Sequence, residues 1–200
     1  MSIPNSKPSG ELEFKILVVG EDSVGKTSLI IRFIGNRFDD ITTPKTLEGE
    51  SITTKLDLFS VPVKLQVQDI LQEIWENVVS YYVSDNDGIL LVLDITSKAK
   101  MKSYLDYWLR TIREVKTEIP VIVLGNKSDL QPKVNIDKTS QYCAKLGSFF
   151  IKTSAKTGEN VSYAFKLLTS EIVKKKAAAK KQAEAKRTDG LDNVFTKYDL

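Results

Sequence analysis

The stretch that decides the fold is GEDSVGKTS, residues 20–28. It follows the short apolar run FKILVV (14–19), which predicts a buried strand, and it precedes apolar residues at helical spacing from Lys26 onward. Glycines spaced in this way let successive backbone N–H groups and a helix N-terminus surround an anion. The stretch therefore predicts a phosphate site, with Lys26 near the outer phosphates and the Thr27 hydroxyl near Mg²⁺. A chance glycine turn is the alternative, at roughly one in twenty.

Strand-like and helical segments alternate along the rest of the chain. Runs with a period of two at 52–58 and 63–69 predict an antiparallel hairpin. Apolar runs predict further strands at 88–94, 120–125 and 149–154, and helical patterns lie at 101–112, 136–146 and 161–172. This alternation predicts an α/β fold whose mostly parallel sheet is covered on both faces, with ligands bound beyond the carboxyl ends of the strands.

Composition narrows the chemistry. The chain has 200 residues, which suits one domain with tails, and it contains no histidine, which excludes histidine triads and histidine metal sites. The single cysteine, Cys143, cannot form an intrachain disulfide. The N-terminus has no hydrophobic signal region, and no apolar run approaches the roughly 18 residues of a spanning helix. We therefore expect a cytoplasmic protein.

The positive charge is concentrated near the C-terminus. The net charge is +3, but residues 174–187 hold seven lysines and arginines and one glutamate, so the remainder is mildly acidic. An acidic globular part argues against a nucleic-acid partner. For the basic run itself, a solvated helical extension is favoured about two to one over a surface for anionic lipid.

Two later stretches carry a family resemblance. NKSD (126–129) and TSAK (153–156) each follow a predicted strand. With the glycine-rich loop before them, they resemble the motifs of the Ras superfamily of small GTPases, and GEDSVGKTSL with Tyr81 and Tyr82 is most similar to the Rab branch. The resemblance covers residues 13–173, between an N-terminal tail (1–12) and a basic extension with a C-terminal tail (174–200). It implies a six-stranded, mostly parallel sheet with one antiparallel strand and about five helices.

The resemblance implies a guanine-nucleotide site. Asp129 would accept hydrogen bonds from two guanine nitrogens, with Asn126 and Lys127 shaping the pocket. The Ala155 N–H would meet the guanine carbonyl oxygen, and Phe38 would stack near the base. The other nucleotide contacts implied are Gly20, Asp22, Ser23, Val24, Gly25, Lys26, Thr27, Ser28, Ser154 and Lys156.

A threonine in the loop after Phe38 is expected to bind Mg²⁺ through its hydroxyl and the γ-phosphate through its N–H. Thr46, followed by a leucine, fits the family pattern best, although the spacing has one extra residue. Thr42 and Thr43 are rivals, and a merely polar loop is the further alternative.

The segment QDILQEIWE (68–76) departs from the family pattern. Asp69 matches the aspartate that holds Mg²⁺ through a water, but the glycine that normally follows is absent. Either Gln72 is the glutamine that orients the attacking water, or Gln72 replaces the glycine and Glu73 follows it. The segment is also unusually apolar, so it either packs down as a fixed element or forms a partner surface.

Together these residues imply a switch that binds GTP and GDP with Mg²⁺ and hydrolyses GTP slowly, with Lys26 stabilising developing charge and Gln72 orienting water. Asp22 lies where the family prefers a small residue, and its charge repels a triphosphate by roughly 1 kcal/mol. No arginine in the switch segments clearly acts in cis, and such GTPases turn over at roughly 10⁻⁴ to 10⁻² per second. Effectors and regulators would bind through residues 39–50 and 70–78.

Two alternatives stay open. A non-catalytic guanine-nucleotide scaffold is supported by the absent glycine, Asp22 and the apolar segment. An ATP enzyme of the P-loop class is a distant third, because NKSD and TSAK have no task there. Since Cys143 lies in a predicted helix, we also expect no prenyl anchor.

Overall fold

The computed structural model describes residues 12–38, 51–70, 72–97 and 101–197, with side chains described as far as residue 184 except at 72–74 and 76. Six strands and five helices occur in these ranges. In chain order they are β1 (Leu12–Val19), α1 (Lys26–Gly35), β2 (Ser51–Leu58), β3 (Val61–Asp69), α2 (Gln72–Asp85), β4 (Gly88–Asp94), α3 (Met101–Val115), β5 (Val121–Asn126), α4 (Ile136–Lys145), β6 (Phe149–Lys152) and α5 (Val161–Lys197).

The strands form one sheet in the order β2-β3-β1-β4-β5-β6. Only β2 runs antiparallel, against β3 through the predicted hairpin, and the other neighbours pair in parallel. The α/β class, the strand number and the single antiparallel strand are thus confirmed. Parallel neighbours require crossover helices, which is why the helical patterns alternate with the strands.

The central strand shows how the two faces of the sheet are covered. Phe14, Ile16 and Val18 of β1 face a core shared with α1 and α5. Leu17 and Val19 face a second core, shared with α2, α3 and α4. Successive side chains of a strand alternate between faces, so an uninterrupted apolar run fits a strand buried on both sides.

The register of the sheet brings polar strand ends together at one edge. Val18 pairs with Asp69, which places that aspartate beside the start of the glycine-rich loop. Asp94 pairs with Asn126 at the ends of β4 and β5. The candidate site residues therefore converge at the carboxyl edge of the parallel strands, where open α/β sheets bind ligands.

The last strand is shorter than predicted. We expected 149–154, but β6 ends at Lys152. Thr153 N–H still donates to the Gly125 carbonyl at 2.9 Å, whereas Ser154 N–H donates to the Glu159 carbonyl at 3.1 Å. The chain thus leaves the sheet at Ser154 to form a turn.

The basic extension continues the last helix without a break. α5 continues past residue 173, where the predicted domain ends, to Lys197. Lys175 and Lys176 form ion pairs with Glu118 at 3.1 Å and Asp87 at 2.8 Å, which hold this part of α5 against the domain. No helix within the described ranges is both long enough and apolar enough to span a bilayer.

The single cysteine lies inside the second core. Cys143, on α4, is fully buried and its thiol is free. Burial raises the pKa of this thiol to about 12, because the charged thiolate is poorly solvated there.

Candidate functional site

The glycine-rich loop turns tightly between β1 and α1. Gly25 has a φ of +96° and is the N-cap of α1, and Ser23 also adopts a positive φ, of 61°. A Cβ at Gly25 would overlap the Asn126 side-chain amide, and a Cβ at Gly20 would overlap the Val92 carbonyl. The loop can close only because these two positions lack side chains.

Lys26, the first residue of α1, reaches back across the loop. Its Nζ donates to the Gly20 and Glu21 carbonyls, both at 3.0 Å, and the side chain is buried. Burial lowers the pKa of Lys26, while the carboxylates of Asp69 and Asp22 oppose that shift. A cation at a helix N-terminus beside exposed loop N–H groups suits a phosphate anion.

A pair of oxygen side chains lies next to Lys26. The Thr27 hydroxyl donates to Asp69 Oδ2, and the other carboxylate oxygen, Oδ1, is buried without a hydrogen-bond partner. Burial raises the pKa of Asp69, partly offset by the Thr27 hydrogen bond and the Lys26 charge. A hydroxyl and a carboxylate are the hard donors that Mg²⁺ prefers, and an unpartnered oxygen is one that a metal-bound water would satisfy.

These two side chains alone would not hold a metal. Within the described ranges no group of three or more histidine, cysteine, aspartate or glutamate side chains is placed to bind one. Mg²⁺ is commonly held by one or two protein oxygens together with substrate phosphates and waters. The residues present therefore fit a magnesium ion that arrives with a phosphate ligand.

A cavity of about 300 Å³ lies beyond the loop, between the predicted NKSD and TSAK segments. Nine of the sequence-predicted residues line it, and Leu130 is the one lining residue that sequence reasoning missed. The lining residues are Ser23, Gly25, Ser28, Phe38, Asn126, Lys127, Asp129, Leu130, Ala155 and Lys156.

Asn126 links the three walls of this cavity. Its Nδ2 donates to the Val24 carbonyl at 2.8 Å. Its Oδ1 accepts from the Ala155 N–H at 3.2 Å and from the Thr153 hydroxyl at 3.5 Å. Since the side chain is almost fully buried, these bonds fix the glycine-rich loop relative to the TSAK turn.

The Asp129 carboxylate is held in place by its neighbours. The Ser154 hydroxyl donates to Asp129 Oδ1 at 2.5 Å and in turn accepts from the Thr157 N–H at 3.1 Å. Ser154 itself is fully buried, whereas Asp129 is exposed. Ser154 thus lies behind the cavity, where it orients the carboxylate.

Lys127 adopts a positive φ of 68° and reaches under this cavity. Its Nζ donates to the Ser23 carbonyl at 2.9 Å and pairs with Asp94 Oδ2 at 2.6 Å. The Lys127 ammonium and the Thr96 hydroxyl and N–H lower the pKa of Asp94, although burial opposes them. Sequence reasoning missed Asp94, and its position at the end of the buried strand 88–94 was the available signal.

Tyr104 of α3 supports the glycine-rich loop from below. Its hydroxyl donates to the Val92 carbonyl at 2.8 Å and accepts from the Glu21 N–H at 3.3 Å. Burial raises the pKa of this phenol. The helical pattern predicted at 101–112 includes Tyr104, but periodicity alone does not predict its hydrogen bonds.

The apolar segment after Asp69 packs down. Ile70 and Trp75 are buried, and the Trp75 and Trp108 rings lie 4.8 Å apart between centroids. The Trp75 indole N–H is buried without a hydrogen-bond partner. For these two side chains the fixed element is the alternative that the structure favours over a partner surface.

Two predicted site residues are not placed. Gln72 is the first residue of α2, but its side chain is not described, nor is that of Glu73. Thr46, its rivals Thr42 and Thr43, and the rest of 39–50 lie outside the described residues. Their roles stay predictions.

Comparisons with known proteins found one matching family and several similar chains. The family model described as the Ras family matches residues 15–174. Ras-related protein RGP2 of Oryza sativa subsp. japonica is 34% identical over 179 residues, covering 86% of this chain and 82% of that protein. Ras-related protein YPTC6 of Chlamydomonas reinhardtii is 31% identical, covering 94% and 90%. Ras-related protein Rab-4 of Dictyostelium discoideum is 33% identical, covering 80% of each.

Proposed function

The chain belongs to the Ras family of GTP-binding small GTPases, and on that premise we propose that it is a guanine-nucleotide switch that binds GTP and GDP together with Mg²⁺ and hydrolyses GTP slowly. The observation that carries the proposal is the buried Asn126 amide. It joins the Val24 carbonyl of the phosphate loop to the Ala155 N–H of the base cavity. One ligand with both a base and phosphates would occupy the two parts together.

At the base, Asp129 supplies the selectivity. A carboxylate accepts two hydrogen bonds side by side, which suits the N1–H and amino group of guanine and not the edge of adenine. Ser154 orients that carboxylate at 2.5 Å. The Ala155 N–H donates to Asn126 Oδ1 at 3.2 Å in the structure, so it would share its hydrogen between that oxygen and the guanine carbonyl oxygen. Phe38 and Lys127 line the cavity and would contact the flat faces of the base.

At the phosphates, the loop from Gly20 to Ser28 would bind through its N–H groups, and Lys26 would stabilise charge that develops on the transferred phosphoryl group. Thr27 would ligate Mg²⁺ directly and Asp69 through a water. The bound ion would neutralise charge on the phosphate oxygens. Thr46 would complete the metal site from the loop 39–50.

The proposed rate is slow, at or below about 10⁻² per second, because catalysis here depends on positioning and charge stabilisation. Burial lowers the pKa of Lys26, and the Asp22 carboxylate lies close enough to oppose that shift. A negative charge at this position opposes a triphosphate. Gln72 would orient the attacking water from the first turn of α2.

Single-turnover hydrolysis tests the proposal, with Gln72→Leu as the comparison. We expect slow phosphate release from the wild type and at least tenfold slower release from the variant, since positioned groups of this kind contribute about 10²–10⁴-fold. Turnover faster than about 0.1 per second unaided would contradict the slow rate. An unchanged rate in the variant would remove Gln72 from its role.

A non-catalytic scaffold is the second candidate. The observation that favours it is the buried Trp75 on Trp108, which holds α2 against α3 directly after Asp69. An anchored α2 restricts the motion that would bring Gln72 to the γ-phosphate. Retention of intact GTP over many hours, with no phosphate released, would establish the scaffold instead.

Partners and tails follow from the same proposal. Effectors and regulators would bind at residues 39–50 and 70–78, where the GTP and GDP states would differ. The lysine-rich part of α5 is proposed to be a solvated extension, because its described side chains from 174 to 184 are exposed. Salt-sensitive binding to anionic but not to neutral vesicles would overturn that assignment.

A further inference from the structure

Arg32 makes three hydrogen bonds near the base cavity without lining it. It lies in the last turn of α1. Its Nε donates to the Ala155 carbonyl at 2.7 Å, its Nη1 donates to the Asn36 carbonyl at 3.0 Å, and its Nη2 donates to the Lys156 carbonyl. All three acceptors are main-chain carbonyls, so the guanidinium holds backbone segments in place.

These carbonyls belong to two segments that form the cavity. Ala155 and Lys156 line it, and Asn36 comes two residues before Phe38, which also lines it. A Cβ added at Gly158 would lie 3.6 Å from Arg32 Cδ, so the turn after Lys156 also lies along the aliphatic part of the side chain. One side chain therefore makes two hydrogen bonds to the turn 155–158.

We propose that Arg32 is a positioning residue for guanine recognition, which holds the turn 154–158 against α1 so that the Ala155 N–H and the Ser154 hydroxyl stay where the base is read. The inference rests on the proposed function, since it concerns the same cavity. Arg32 acts from behind the turn and has no contact with the ligand in this assignment.

Capping of α1 is the competing explanation. A basic side chain in a last turn stabilises the helix, and the bond to the Asn36 carbonyl is of that kind. However, the bonds to Ala155 and Lys156 join residues 123 and 124 positions apart in the chain. Capping alone gives no reason for two long-range bonds to the turn beside the base.

The planar guanidinium is what allows this arrangement. Its donors point in fixed, divergent directions and reach three carbonyls at once. A lysine ammonium at this position would serve as a single point charge and would not span them. We therefore expect Arg32→Lys to behave like a loss of function rather than a rescue.

The test is the rate of GDP release from full-length wild type, Arg32→Met, Arg32→Lys and Arg113→Met, each measured with Mg²⁺ and after chelation. Arg113 is the matched control because it also lies in the last turn of a helix, α3, and donates to another segment, the Ser148 hydroxyl, at 3.1 Å. Thermal unfolding of each GDP-loaded protein and the measurements after chelation distinguish two causes of faster release. One is a displaced turn 154–158, and the other is a destabilised protein.

We expect Arg32→Met to release GDP about tenfold faster, and Arg32→Lys nearly as fast, because a net loss of about one hydrogen bond corresponds to about tenfold. Arg113→Met should stay within about twofold of wild type. The acceleration should be the same with and without Mg²⁺, since Arg32 positions the turn that reads the base and not the groups that hold the metal. A loosened α1 would instead disturb Lys26 and Thr27 and change the effect of Mg²⁺.

Three results would overturn the inference: release from Arg32→Met within twofold of wild type, equal acceleration by Arg113→Met, or full rescue by lysine. If Arg32→Met does not fold, the GDP release rate of Arg32→Lys decides alone. A rate about tenfold above wild type supports the inference, and an unchanged rate contradicts it. If wild type shows no preference for GDP over ADP, the proposed function fails first and the inference falls with it. Failure in the variants alone leaves the proposed function standing.

Discussion

The base end and the phosphate end of the proposed nucleotide site are built in different ways. At the base end, polar groups bind one another: the Asn126 amide bridges two loops, and Ser154 donates to Asp129. At the phosphate end, opposite charges are buried close together. Lys26 lies near Asp69, and one oxygen of that carboxylate has no hydrogen-bond partner.

The difference separates two properties of binding. A base pocket whose polar groups are already held in place loses little conformational entropy on binding. Because those groups keep one fixed hydrogen-bonding pattern, the pocket favours the base that matches it. Buried charges that are only partly compensated make binding depend on the phosphates and metal that would neutralise them. We therefore expect base-end variants to change which nucleotide binds, and phosphate-end variants to change how strongly phosphates and metal are held.

Asp129→Asn gives the largest expected effect. Replacing the carboxylate by an amide removes two charge-assisted hydrogen bonds to guanine, so GDP affinity should fall about 1,000-fold, or about 4 kcal/mol. Xanthosine diphosphate should bind the variant better than GDP does, because the amide donates to the second xanthine carbonyl. Competition titration measures both. A loss under tenfold would mean that the base end does not set selectivity.

Trp75→Ala tests how firmly α2 is fixed beside the phosphate end. Removing a buried ring that packs on Trp108 should lower the free energy of unfolding by about 3 kcal/mol. Trp75→Phe keeps an aromatic ring and removes the unpartnered N–H, so it should cost less than about 1.5 kcal/mol. Urea unfolding followed by circular dichroism gives both values. Equal losses would argue against the ring contact.

Asp22→Asn should strengthen GTP binding about fivefold, or about 1 kcal/mol, and GDP binding less. The reason is that the removed charge would lie near the γ-phosphate of a bound triphosphate. Asp137→Asn removes the same charge from the first turn of α4 and is the control. Nucleotide titration at two salt concentrations measures the effect. An equal gain for GDP and GTP would contradict placement of Asp22 near the γ-phosphate.

Asp69→Asn should make GDP release less dependent on Mg²⁺ and should stabilise the nucleotide-free protein. Burial raises the folded pKa of Asp69 above its unfolded value of 3.8, so the ionised carboxylate destabilises the nucleotide-free fold above the folded pKa. The variant should therefore be more stable than wild type at pH 7. That gain should shrink as the pH falls through the folded pKa and disappear below 3.8.

The measurement is urea unfolding of nucleotide-free wild type and variant across pH, together with GDP release with and without Mg²⁺. We expect Mg²⁺ to slow release from wild type and to have little effect on the variant. We compare the unfolding free energy of the variant minus that of wild type at each pH. If this difference is smaller at pH 7 than at low pH, the predicted direction of the Asp69 pKa shift is wrong.

Sequence patterns alone placed the six strands and four of the five helices of the described residues, because their periodicity is strong, whereas α2 (Gln72–Asp85) was not predicted as a helix. The motifs brought Asn126, Lys127 and Asp129 to the cavity that the structure contains. The predicted end of β6 was wrong because Thr153 and Ser154 follow the strand without a turn signal. Only the hydrogen bond from Ser154 N–H to the Glu159 carbonyl shows that the sheet has ended.

Sequence could not reveal contacts that depend on register between distant elements. Asp94 meets Lys127 because β4 and β5 pair Asp94 with Asn126, and no local pattern encodes that pairing. Tyr104 and Arg32 read as ordinary helix residues, and only the packing of α3 and α1 directs their polar groups to the site. In each case the contact depends on how distant elements pack in the tertiary structure, which local sequence does not specify.

The buried thiol of Cys143 has a practical consequence. As the only cysteine of the chain, and one whose pKa burial raises to about 12, it would be almost unreactive toward maleimide and iodoacetamide reagents in the folded protein. A cysteine introduced at any exposed position would then accept a fluorophore or spin probe without removal of the native residue. Distances between such probes would report directly on motion between nucleotide states.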